Sequence, residues 1–411
     1  MHMFSKIFLK TKPQDFISGF KQSLEYIDSN KSYPKIHIAS SQMLPRTMVD
    51  GQERLLFCSN NYLGLSTNQE IISKSIDALK QYGTGAGGSR ILSGNLKLHE
   101  ELEAELAQFK GKEAALVFPS GFQVNSGVIP ALINVFSIQE NAPVYPGVIF
   151  SDSENHASII DGCKLSRAKV EVYSHCNVDD LQKKIKKYPN NVRKLIVTDG
   201  VFSMDGDLAP LDKIVEIKKQ NNAFLLLDDA HGTGTMGPTG RGLAEHFNVE
   251  NEVDLIMGTF SKALGGIGGF VAGNNEVIRY LRLSARTYMF SAGLPAGVTA
   301  GILEAVKTIK AHPEIVKKLH ENANYLRNGL QKIGYSTLSS QSAIIPLLIG
   351  DEEQASFAAE YLFNKGIYAL PVRWPAVKRG SAIIRFTVMA THTLEDLNYV
   401  IKICENLKLE K

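Results

Sequence analysis

The chain has 411 residues, 44% of them hydrophobic, which is length for two to three domains and enough apolar material for a large core. Its 45 Lys+Arg against 42 Asp+Glu leave a net charge of +3, so no charge excess argues for nucleic acid or membrane lipid as a partner. Cys58, Cys163, Cys176 and Cys404 are scattered without CxxC spacing and read as reduced thiols of a cytoplasmic protein, not as a disulfide frame or a zinc site. No apolar run approaches membrane-spanning length, and the N-terminus, with Lys6, Lys10 and Lys12, has no apolar signal core.

Residues 1–55 read as an N-terminal arm, with Ile17, Phe20, Leu24 and Ile27 on one helical face. Leu55–Cys58 is a short strand that runs into the turn-rich Ser59–Gly64, and a helix follows with Ile71, Ile72, Ile76 and Leu79 inward. Gly83–Arg90 matches GxGxxG in form at Gly83, Gly85 and Gly88. A helix precedes it and no helix opens directly after it, so a nicotinamide oxidoreductase is a disfavoured reading. A glycine turn that lets a ligand or a second chain approach the backbone fits better. Leu96–Phe109 is an amphipathic helix on Leu98, Leu102, Leu106 and Phe109.

Strands and helices then alternate. Strands are expected at Ala114–Phe118, Val148–Phe150, Val170–Tyr173, Leu195–Thr198, Phe224–Leu227, Leu255–Met257 and Gly269–Ala272. This order implies α/β architecture, a large and mostly parallel sheet with helices on both faces, over residues 56–295. Residues 134–147 read as a surface excursion. From 296 to 411 two long helices, 296–311 and 313–333, lead into a smaller C-terminal α+β domain.

In such sheets ligands bind beyond the carboxyl ends of the strands, and the polar motifs fall there. Taken alone, Lys262 in Thr259–Gly266 reads as a surface lysine after a strand. Asp228 closes the apolar strand Phe224–Leu227, where a carboxylate is costly without a cation. Together they meet the demands of pyridoxal 5'-phosphate. That cofactor needs an imine-forming lysine, a carboxylate for its ring nitrogen, and hydroxyls with helix N-terminal amides for its phosphate. Ser120-Gly121-Phe122 opens a helix, Thr259 and Ser261 flank Lys262, His231 stands three residues after Asp228, and His156 lies at another strand end. Each histidine alone reads as a satisfied structural residue or a helix cap.

These stretches resemble the α-oxoamine synthase family of fold-type-I pyridoxal phosphate enzymes, whose fold is aspartate aminotransferase-like. The likeness runs from Asn60–Leu65 to Ala390–Thr393. It is carried by Gly83–Gly94, His99–Glu103, Ser120–Phe122, Asn155–Ser158, Asp199–Asp207, Asp228–Gly232, Gly240–Gly242 and Thr259–Gly266. It implies Lys262 as the Schiff-base lysine, Asp228 on the ring nitrogen and His156 stacked on the ring. It further implies His231 and Ser203 near the phenolic oxygen, Gly121, Phe122, Thr259 and Ser261 on the phosphate, and Asn60 and Arg385 on the amino acid substrate. Ser291 matches a position that reaches the phosphate from a neighbouring subunit, so a homodimer with its active site at the interface is implied. Ala292 lacks the second hydroxyl that often stands beside it.

The implied reaction is a decarboxylative Claisen condensation: an amino acid and an acyl-CoA give an α-amino ketone, CoA and carbon dioxide. The donor could equally be an acyl-carrier-protein thioester. Ser203–Leu211 and Val372–Pro375 look most like the 8-amino-7-oxononanoate synthase branch. Ile384–Thr393 looks as much like serine palmitoyltransferases, and Lys378-Arg379 departs from the first branch. A glycine C-acetyltransferase fits less well. A non-catalytic synthase subunit is disfavoured because Lys262, Asp228 and His156 are all present.

Overall fold

The computed structural model describes residues 16–29, 35–135 and 147–408; most of the excursion expected at 134–147 lies outside them. The strands, in chain order, are β1 (Arg46–Val49), β2 (Gln52–Leu56), β3 (Ala114–Phe118), β4 (Gly147–Asp152), β5 (Lys169–Tyr173), β6 (Arg193–Asp199) and β7 (Phe224–Asp228). They continue as β8 (Leu255–Thr259), β9 (Gly269–Gly273), β10 (Ile344–Gly350), β11 (Ile367–Tyr368), β12 (Leu370–Val372) and β13 (Ala382–Thr387).

Seven strands form the main sheet in the order β3-β9-β8-β7-β6-β4-β5. The pairs from β5 through β8 are parallel, and β9 is antiparallel to both neighbours. Helices cover both faces, so alternate residues enter different cores. On β7, Leu225 and Leu227 join one apolar cluster and Leu226 the other, all three fully buried. The mostly parallel sheet expected from the strand–helix alternation is present, with the one antiparallel strand β9 beside β8.

The C-terminal region holds the antiparallel sheet β10-β13-β12. The hairpin β1-β2 pairs in parallel with β11, Leu55 opposite Ile367. The end of the arm is therefore hydrogen-bonded to the C-terminal region. The helix Ala296–Ala311 packs on Gln69–Tyr82 through Gly297 and Gly301, where an added Cβ would meet Leu79 at 2.8 Å and Ser75 at 2.6 Å. That close approach buries Ile71 and Ala78. It seats Leu79 against Gly297, although 41% of Leu79 stays exposed, and leaves Ile76 46% exposed, a correction to the inward face expected for Ile76.

The segment 83–94 is coil between two helices, with no strand before it. Gly88 accepts from the N–H of Gly293, and Ser89 bridges to Ala292. Its glycines serve close backbone packing: a Cβ on Gly94 would fall 1.8 Å from the Gly88 carbonyl oxygen. This context supports no dinucleotide fingerprint.

Candidate active site

Four strands of the main sheet bring their carboxyl ends to one place: Asp152 ends β4, Asp199 β6, Asp228 β7 and Thr259 β8. After β8 the chain turns tightly. Phe260 N–H donates to Gly268 and Gly266 N–H to Phe260, while Gly265 N–H donates to Lys262. Phe260, Ala263 and Leu264 are buried on either side of Lys262, so the lysine is held from both flanks. Gly265 has φ +68°, and a Cβ there would lie 2.5 Å from Ser66 N, so no larger residue fits the turn. Burial lowers the Lys262 amine to about 8, against the opposing pull of Asp228.

Asp228 is 2% exposed. Its Oδ2 accepts from Asn125 Nδ2 at 2.6 Å, and its Oδ1 from Ala230 N–H at 3.0 Å. Asn125 also donates to Ser158 Oγ at 2.9 Å. Beside Asp228 in the strand register stands Asp199. Burial, then the Asp228 charge, pushes the Asp199 carboxyl well above the carboxylate range. A neutral Asp199 avoids setting two charges side by side. It accepts from His156 N–H at 2.7 Å, and its own N–H donates to Asn155 Oδ1 at 2.8 Å.

His156 caps the helix Ala157–Ser166, with Nδ1 2.8 Å from Ser158 Oγ. Its ring stands open to solvent, 6.5 Å from the Phe122 ring and edge-on to it. Partial desolvation in the cleft lowers its pKa despite the pull of Asp228, and Lys262 lowers it further. His231 is buried, with Nδ1 2.7 Å from the Tyr62 hydroxyl. Burial, Lys262 and Arg385 hold His231 well below its ordinary value, while burial pushes Tyr62 up to about 12. When the Tyr62 phenol donates to Nδ1, the neutral imidazole carries its proton on Nε2, where it can donate.

Ser120 caps the helix Gly121–Ile133, its Oγ accepting from Gln123 N–H at 3.2 Å. The N–H groups of Gly121 and Phe122 open the first turn, where a helix has no internal acceptors to offer. Gly121 packs directly on β8: an added Cβ would meet Thr259 Oγ1 at 3.0 Å and Met257 Cε at 3.2 Å. Thr259 Oγ1 lies 3.0 Å from Ser261 Oγ. Amides and hydroxyls thus gather at one helix N-terminus, the cradle a phosphate needs.

Arg385 reaches the same cleft from β13. Its Nε donates to the Ser203 carbonyl at 2.6 Å, Nη1 to Thr387 Oγ1 at 2.9 Å, and Nη2 points at Asn60 Oδ1 at 3.4 Å. Asn60 Oδ1 is also 3.4 Å from the Tyr62 hydroxyl. Ser291 Oγ stands 3.4 Å from Gln123 Nε2 of the cradle helix in its own chain.

Sequence reading gave no role to Asn125, Ser158, Tyr62 or Asp199. Asn125 was visible as a lone amide in the apolar helix run Val124–Ile129, and Asp199 repeats the Asp228 signal of a carboxylate ending an apolar strand. Tyr62 gave no such signal, because its partner is 169 residues away.

Residues 52–403 match the family described as aminotransferase class I and II, and the chain belongs to it. A Sphingomonas wittichii serine palmitoyltransferase superposes with a TM-score of 0.90 at 33% identity, covering 96% of this chain and 98% of its own. A high-resolution structure of SPT with a PLP internal aldimine does so at 0.90 and 31%, with the same coverage. The protein is a pyridoxal phosphate-dependent acyltransferase of the α-oxoamine synthase group. Among curated relatives, the 8-amino-7-oxononanoate synthase of Thermoanaerobacter pseudethanolicus is 41% identical over 394 residues, 96% of each chain. The 8-amino-7-oxononanoate synthase 1 of Bacillus subtilis is 39% identical over 400 residues, 97% of this chain and 99% of its own.

Proposed function

We propose that the protein condenses L-alanine with a pimeloyl thioester, giving 8-amino-7-oxononanoate, the free thiol and carbon dioxide. The observation that carries this reading is the identity of about 40% over nearly the whole chain to synthases of that name, against 31–33% to the serine palmitoyltransferase structures. Bound pyridoxal phosphate supplies an electron sink for the carbanion formed at the amino acid's Cα.

The chain's own residues do the rest. Asp228, fixed by Asn125, sets a carboxylate where it holds a protonated ring nitrogen. His156 offers an open ring face for stacking, and His231 offers an Nε2–H to a phenolate oxygen, with Ser203 nearby. Ser120, Gly121, Phe122, Thr259 and Ser261 hold the phosphate. Arg385 and Asn60 take the substrate carboxylate, for which a guanidinium gives charge-assisted bonds. Lys262, with an amine near 8, removes the α-proton once released, since its pKa is close to working pH.

A homodimer completes the site in this reading. Leu92, Phe290, Ile267 and Phe122 are 84%, 70%, 55% and 46% exposed, large apolar side chains that a partner surface would cover. Gly88 and Gly293 tie the 83–94 coil to the segment carrying Ser291, which would reach the partner's phosphate. The helix Phe16–Ser29 also offers Ile17, Phe20 and Leu24 outward. Among the described residues no helix is long and apolar enough to cross a membrane, and a cytoplasmic location fits the free thiols.

A second reading, L-serine with a long-chain acyl-CoA, draws on the TM-score of 0.90 to serine palmitoyltransferase. A substrate panel separates the two: alanine, serine and glycine against pimeloyl-, palmitoyl- and acetyl-CoA, scored by CoA release and product mass. Alanine with pimeloyl-CoA should give the highest kcat/KM. Preference for serine with palmitoyl-CoA would replace the first reading with the second.

A further inference from the structure

Away from the cofactor cradle, an imidazole, a thiol and two carboxylates meet just after β5. His175 Nδ1 lies 2.9 Å from Asp152 Oδ1, and Nε2 lies 2.9 Å from Asp207 Oδ2. Both carboxylates are buried, Asp207 8% exposed. Only a doubly protonated ring can donate to both. Burial works against that charge, but the bonds to Asp152 and Asp207 outweigh it and push His175 up to about 12. Cys176 Sγ sits to one side, 3.7 Å from Nε2.

The two carboxylates belong to loops that carry site residues. Asp152 accepts from the N–H groups of Cys176 and Glu154, at the start of the stretch that leads to His156. Asp207 closes the loop that holds Ser203: Phe202 N–H donates to the Asp207 carbonyl at 3.0 Å, and Gly206 N–H to Phe202 at 2.9 Å. The Phe202 ring stands edge-on to His175 at 4.4 Å. The carbonyl of Ser203, in the middle of this loop, takes Nε of Arg385.

We propose that His175 is a positioning residue for the amino acid carboxylate: its imidazolium fixes Asp207, and with it the Ser203 carbonyl that aims Arg385. This rests on the reading of Arg385 as the carboxylate-binding group. Without the imidazolium, Asp207 is a buried carboxylate with no cationic partner, so the loop shifts outward to hydrate it. Arg385 then loses the acceptor that fixes its fork. The loop keeps a second anchor, since Gly206 O accepts from Ser342 Oγ and from the N–H groups of Gln341 and Ser342. The change therefore loosens the loop without unfolding it.

The test is steady-state kinetics on the holoenzyme for His175→Gln, Asp207→Asn, Arg385→Ala and the double variant His175→Gln/Arg385→Ala. His175→Gln and Asp207→Asn should each raise the amino acid KM about ten- to hundredfold, as a misplacement near 1 Å does, with kcat and the thioester KM within about twofold. The double variant should raise KM no further than Arg385→Ala alone, because both changes act on one group. A single cooperative melting transition, well above the assay temperature, and an unchanged cofactor absorption band establish that the variants fold and load. If Arg385→Ala raises the amino acid KM while His175→Gln and Asp207→Asn do not, or lower kcat alone, the positioning role is wrong and the Arg385 reading stands. If Arg385→Ala itself leaves KM unchanged, the underlying reading fails.

Discussion

The lowered pKa of Lys262 makes a quantitative prediction about cofactor capture. An ordinary lysine titrates near 10.5 and this one near 8, a difference of 2.5. At pH 7 the neutral, nucleophilic fraction is then about one-tenth, roughly 300 times that of an unperturbed lysine. Only the neutral amine attacks the aldehyde. Capture of pyridoxal phosphate by the apoenzyme should therefore speed up with pH, pass half-maximum near 8 and level off above 9. Asp228→Asn removes the charge that most supports the ammonium form, so the midpoint must move down, not up. The assay is stopped-flow growth of the visible cofactor band in apoenzyme, from pH 7 to 10, in wild type and Asp228→Asn. A wild-type midpoint near 10, or an upward shift in the variant, would refute the link between burial, Asp228 and the amine.

Arg385→Ala removes a guanidinium with three partners from a buried position, and the cost of losing such a charged contact is about 2–4 kcal/mol. The amino acid KM should rise about 30- to 900-fold with the thioester KM unaffected, read by CoA release. Lys110 is fully buried and bonds Asp229 and Thr233, both at 2.8 Å, in the turn that carries His231. Lys110→Met strands the Asp229 carboxylate, so urea unfolding should lose about 3–5 kcal/mol. His175 gains its proton on folding. Its stabilisation is whole below about 6.5, the unfolded value, and drains away as pH climbs towards 12. The melting-temperature gap between wild type and His175→Gln should accordingly narrow from pH 7 to pH 10.

Much of the main sheet was legible, because each buried parallel strand is a short apolar run ended by a polar residue. Asp228 and Lys262 were legible only as a pair: each alone passes for a capped strand end or a surface lysine, and it is two charges at neighbouring strand ends that point to a cofactor. The helix Gln69–Tyr82 was read less well. Periodicity placed Ile76 inward, but the face that meets Ala296–Ala311 runs through Ser75 and Leu79 and is set by Gly297 and Gly301, whose smallness carries no period. The partnerships around the site were least legible. Asn125 with Asp228, Tyr62 with His231, and Arg385 with Ser203 join residues 103, 169 and 182 positions apart. Tertiary packing of helix, loop and both sheets brings them together. His175, two residues beyond β5, likewise meets Asp152 at the end of β4, which no local pattern announces.

Lys262, in the turn after β8, with Asp228 at the end of the neighbouring β7, is the residue proposed to hold the cofactor. Borohydride treatment of the holoenzyme followed by peptide mass mapping tests it directly. A single phosphopyridoxyl adduct on the peptide containing Thr259–Gly266, at Lys262, with no adduct and no visible band in Lys262→Ala, is the predicted result. An adduct on any other lysine, or a visible band that persists in Lys262→Ala, would contradict it.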